Sequence, residues 1–85
     1  MASNKAIYAV TTTYGMSRDM IFTESNEVNS HTYINVVNSR TGEYQQIRCH
    51  YDGAEDFIVV CEIWIKEYFG KHLVGYKLKE RRRAT

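Results

Sequence analysis

The chain has 85 residues and a mass of 9.9 kDa, enough for one hydrophobic core and too little for a second domain. With 44% hydrophobic, 13% aromatic and 25% charged residues, its composition is that of a folding chain, which excludes disordered and low-complexity classes. A net charge of +1 supplies no whole-molecule field that would argue for nucleic acid or a membrane.

Taken in chain order, residues 6–14 predict a strand, with Tyr8, Val10, Thr12 and Tyr14 on one face and Ile7, Ala9, Thr11 and Thr13 on the other. Residues 15–19 read as a turn, residues 20–23 as a short return strand, and the polar residues 24–30 as a loop. Residues 31–50 predict a hairpin: alternation runs through residues 32–37 and 44–49, and between them Gly42 can take the positive φ a tight turn needs. One hairpin face collects Ile34, Val36, Ile47 and Cys49. The other carries Tyr33, Asn35, Tyr44, Gln46 and Arg48 and tolerates water or a partner.

A helix is predicted over residues 53–69, with Asp52 as N-cap, Glu55 reaching back from N3, Asp56 near the positive end of the helix dipole, and Gly70 as terminator. Phe57, Val60, Cys61, Trp64 and Tyr68 form its apolar stripe, and Glu55, Glu62 and Lys66 mark a solvated side on which Glu62 and Lys66 are spaced to pair. Ile58, Ile63, Ile65 and Phe69 widen the apolar arc beyond the needs of one sheet face, which implies a second contact surface. Residues 71–79 predict a last strand with Val74, Tyr76 and Leu78 on one face, followed by a flexible basic tail from about residue 80. The order is β-β-β-β-α-β: an α+β single domain with an antiparallel sheet of about four to five strands on one helix.

No catalytic signature is present. Two cysteines without an export pattern read as reduced thiols in a cytoplasmic protein, and Cys49, His50, Cys61 and His72 lack the close ligand pairs of zinc sites. Cys49 and His50 are adjacent in a strand and point to opposite faces, so they do not form a nucleophile and base. Neither phosphate-cradling nor nucleophile-elbow motifs occur. The expectation is a non-enzymatic protein without cofactor or metal, and no apolar run reaches the roughly 20 residues that span a membrane.

Binding surfaces are therefore sought in aromatic and charged clusters. Residues 1–65 hold four basic and eight acidic residues, and residues 66–85 hold seven basic and two acidic. Candidate partner-binding residues are Tyr33, Tyr44 and Arg48 on the wet hairpin face, Glu24 and Glu27 in the polar loop, and Asp52, Glu55 and Asp56 at the helix start. The alternative is a nucleic-acid module using tyrosines with Lys77, Lys79, Arg81, Arg82 and Arg83. That reading asks for cations on the same sheet face as the tyrosines, and before the tail the sequence offers only Arg48 and the turn residue Arg40. Self-association stays open as a third reading, since a helix apolar nearly all round can form half of a dimer interface.

The element order, the Arg40, Thr41, Gly42 turn, the acidic run from Asp52 to Asp56 and the mid-helix Trp64 resemble the small host-takeover and anti-defence inhibitors encoded by bacteriophages. Early inhibitors of bacterial RNA polymerase and of host nucleotide or nuclease enzymes in T7-like phages, and several anti-CRISPR proteins, are of this type. The resemblance spans residues 32–78. It implies a protein that inhibits or redirects a larger host protein by stoichiometric docking, and it transfers no functional residue.

Overall fold

The computed structural model describes residues 4–26, 32–49 and 57–83. Among these residues five antiparallel strands and one α-helix follow the order β-β-β-β-α-β, an α+β architecture. Strands β1 (Lys5–Thr12), β2 (Gly15–Asn26), β3 (Thr32–Asn38), β4 (Tyr44–Cys49) and β5 (Leu73–Arg82) lie side by side as β4-β3-β2-β1-β5. The helix α1 (Phe57–Phe69) leads from one edge strand to the other and covers one face of the sheet.

Alternation in β1 is complete: Ala6, Tyr8, Val10 and Thr12 are buried and their neighbours look the other way. The strand stops at Thr12, however, and Thr13 and Tyr14 make a two-residue turn. The expected turn over residues 15–19 and short strand over 20–23 are replaced by one twelve-residue strand. The reason is non-local. β2 is the middle strand, laddered to β1 on one side and β3 on the other, so both neighbours satisfy the backbone of residues that look like turn formers in isolation. Residues 24–26 of the expected loop are strand, and the remainder of that loop lies outside the described residues.

The β3–β4 hairpin follows expectation. Gly42 has φ 76° and donates to Asn38 O at 2.8 Å, while Asn38 Oδ1 accepts from Arg40 N at 3.0 Å. In α1 the buried line is Phe57, Cys61, Ile65 and Phe69, with Ile58, Val60 and Trp64 packed on its flanks. The stripe expected through Val60, Trp64 and Tyr68 is thus rotated toward Ile65 and Phe69, and Tyr68 is exposed. Both sets have helical spacing, and docking on the sheet selects between them. Gly70, at φ 53°, ends the helix as its spacing predicts. The expected helix start, with Asp52, Glu55 and Asp56, lies outside the described residues.

Strand β5 departs most from its sequence pattern. Thr11 and Thr12 face Gly75 and Leu73, so Val74 is an extra residue, and Ile7 and Tyr8 face Glu80 and Leu78, so Lys79 is another. Each bulge shifts the alternation by one. Leu73 joins Tyr76 against the core and Val74 is left 65% exposed, so of the expected face of Val74, Tyr76 and Leu78 the helix side keeps Tyr76 and Leu78, opposite Val10 and Tyr8, and loses Val74. Glu80, Arg81 and Arg82, expected to begin a flexible tail, pair with Ile7, Ala6 and Lys5. Bulges and cations together blunt this edge against pairing with another strand.

Candidate functional site

One helix covers one face of a five-stranded sheet, so the face turned away from α1 is the surface on which a site can be built. Register brings its residues into rows. Tyr44, Val37, Ile21, Ile7 and Glu80 form one row, Gln46, Asn35, Thr23, Lys5 and Arg82 the next, and Asp19, Ala9 and Lys77 a third. The middle is aliphatic: Ile7, Ala9, Ile21 and Val37 are half-buried, and among the described residues no helix covers them. Around them stand polar and charged groups. The Tyr44 hydroxyl donates to Asn35 Oδ1 at 2.7 Å, Gln46 Nε2 donates to the same oxygen at 3.0 Å, and Lys79 Nζ meets Asp19 Oδ2 at 2.9 Å. Lys5 and Lys77 have no acidic partner within ion-pair distance among the described residues.

Of the expected binding residues, Tyr33, Tyr44 and Arg48 share this open face, with Tyr33 directly across from Arg48. Lys77, Lys79 and Arg82 reach it from β5. Arg81 falls on the opposite face beside Ala6, and Arg83 is exposed beyond the strand. Glu24 does not belong to the surface. It lies on the helix side of β2, opposite Ile34, where its Oε1 accepts from Asn4 N at 3.2 Å and Asn4 Nδ2 at 3.3 Å. Glu27, Asp52, Glu55 and Asp56 lie outside the described residues. Asp19 and Ile21 are not legible as part of this face because a turn over residues 15–19 and a short strand over 20–23 carry no face across the sheet. The alternation of residues 15–26 with β1 and β3 was the signal that could have found them.

Beneath the other face, Glu62 turns inward and does not pair with Lys66 on a solvated side. Its Oε2 accepts from the Tyr8 hydroxyl at 2.9 Å and its Oε1 from the Tyr76 hydroxyl at 3.4 Å, while Lys66 Nζ lies 6.0 Å from the Tyr76 ring centroid. Burial first, and then the Glu62 carboxylate, push the Tyr8 phenol well above its ordinary 10.0. Above pH 10 the unfolded chain therefore releases a proton that the folded chain keeps, and stability falls with rising pH by up to about 1.4 kcal/mol per unit for this one group. Denaturant midpoints measured on both sides of pH 10 should show that fall. In Tyr8→Phe the alkaline decline should be shallower, and an unchanged slope would remove Tyr8 as its cause.

Cys61 is buried on α1, and His72 Nδ1 lies 3.1 Å from Thr13 Oγ1; His50 and Asp52 lie outside the described residues. Among the described residues no group of three His, Cys, Asp or Glu side chains could hold a metal ion, and no helix is long and apolar enough to cross a membrane. No protein-family model matches this chain, and no curated protein or solved structure matches it.

Proposed function

We propose that this protein is a small non-enzymatic binding module that docks a larger protein through the open face of its sheet. The observation that carries this reading is the uncovered face itself: aliphatic side chains of Ile7, Ala9, Ile21 and Val37 at the middle, ringed by Tyr33, Tyr44, Arg48, Lys5 and Lys77. Protein interfaces have this anatomy, a dry apolar centre with tyrosine, arginine and a polar rim. Cations outnumber anions on the rim, so the complementary partner surface is acidic. Acting on a host enzyme, as the resemblance to phage inhibitors implies, such docking inhibits or redirects it by occupying a surface.

One observation favours nucleic acid as the second reading: Lys77, Lys79 and Arg82 share a face with Tyr33 and Tyr44, the condition a stacking platform requires. The two readings separate on nuclease and salt. A protein partner is retained by the immobilised protein from nuclease-treated extract at moderate salt, and the Lys5→Glu, Lys77→Glu double variant binds it more slowly. Binding that nuclease abolishes, with a steep loss of affinity as salt rises, overturns the protein reading in favour of nucleic acid.

A further inference from the structure

On the helix side of the sheet, away from the docking face, a cleft of about 200 Å³ opens between the C-terminal turn of α1, the β1–β2 hairpin and the β3–β4 hairpin, whose Asn38, Thr41, Glu43 and Gln45 give it a polar side. Aromatic rings line its other side. Trp64 and Tyr68 stack at 4.5 Å and 12°, Phe69 stands edge-on to Tyr68 at 4.9 Å, and Tyr14 lines the cleft at the hairpin turn. Arg18 contributes the charge. Its guanidinium carbon lies 5.4 Å from the Tyr14 ring centroid and 5.9 Å from that of Phe69.

The guanidinium is fixed on one side only. Nη2 donates to Thr12 Oγ1 at 3.0 Å and to Met16 O at 3.4 Å, and it fits because residue 15 is glycine: a Cβ there would lie 2.7 Å from Nη2. Nε is buried without an acceptor, and no carboxylate lies within ion-pair distance among the described residues. A half-buried cation walled by rings and lacking an anion is an unmet electrostatic demand. Glu43 also lines the cleft, but its Oε1 accepts from the Tyr68 hydroxyl at 3.1 Å and from Gln45 Nε2 at 3.4 Å. Its negative charge disfavours a ligand carrying more than one.

We propose that this cleft binds a small aromatic monocarboxylate, the ring lying against Trp64 and Tyr68 and the carboxylate accepting from the Arg18 guanidinium. The Arg18 guanidinium, with no carboxylate in ion-pair distance among the described residues, selects an anion, the Glu43 carboxylate in the same cleft disfavours a second negative charge, the ring faces select a ring, and the volume admits little more than a substituted phenyl group.

Trp64 is the chain's single tryptophan, so its fluorescence reads the cleft directly. Titrating the full-length protein with phenylacetate should give a saturable change with a dissociation constant of roughly 1 mM, typical of a ligand with few atoms. The neutral 2-phenylethanol should bind about tenfold more weakly or less, because a charge-assisted hydrogen bond is lost. Gly15→Ala, which displaces the guanidinium without deleting it, and Arg18→Gln should each weaken phenylacetate about tenfold at unchanged thermal midpoint. If Arg18→Gln does not fold, the comparison of acid with alcohol on the natural chain still decides. A non-saturating response, equal binding of the alcohol, tighter binding of inorganic phosphate, or undiminished affinity in folded variants overturns the proposal.

Discussion

Phe22→Ala is expected to remove about 3–5 kcal/mol of stability, the cost of deleting a fully buried aromatic ring and leaving a cavity. Phe22 is 0% exposed, and its ring meets Tyr8 edge-on at 5.9 Å and Trp64 at 5.6 Å, so it joins the middle strand to both β1 and the helix. A chain of this length has only about 5–10 kcal/mol in total. The variant should therefore unfold at much lower denaturant than the natural chain, and its transition should remain cooperative because sheet and helix share one core. A loss below about 1 kcal/mol would mean that Phe22 does not join the strand to the helix.

Ile21→Glu, one residue earlier, should do the reverse. Ile21 lies at the centre of the open face between Ile7 and Val37, so its loss should cost the fold about 1 kcal/mol or less through weakened cross-strand contacts. Partner binding should fall at least about 30-fold, because a carboxylate is then desolvated at the centre of the interface. Affinity by calorimetry and stability by denaturant titration check both halves. A folded variant that keeps full affinity would move the docking surface elsewhere. The contrast between neighbours follows from the two-residue period of a strand, which points successive side chains to opposite faces.

How much of this was legible depends on the distance over which each feature is decided. Residues 32–49 read correctly because a hairpin is local: alternation, the Gly42 turn and the cross-strand partners lie within twenty residues. The helix end at Gly70 was equally plain, since only the left-handed conformation of that residue is at issue. Strand β2 was misread because Gly15, Ser17, Arg18 and Asp19 have poor strand propensity, and partners on both flanks override it. Glu62 was assigned to solvent by its charge. Two tyrosine hydroxyls, from strands far apart in the chain, make an inward position tolerable.

The candidate surface divides in the same way. Tyr33, Tyr44 and Arg48 could be grouped from the hairpin alone, but Ile21 joins them only through β2 beside β3, Ile7 and Lys5 through β1 beside β2, and Lys77 once β5 is laid against β1. The bulges at Val74 and Lys79 shift which side chains of β5 reach that face, and no periodicity within β5 announces them.

Composition and short-range pattern were enough to determine the class and order of elements, α+β in the order β-β-β-β-α-β, because propensity, alternation and glycine conformation act between near neighbours. Strand order, register, the helix meridian that meets the sheet and the cations that share a face with the tyrosines were decided only by the tertiary structure. Those depend on which distant segments satisfy one another's hydrogen bonds and cover one another's apolar surface, and that is a property of the whole packed chain.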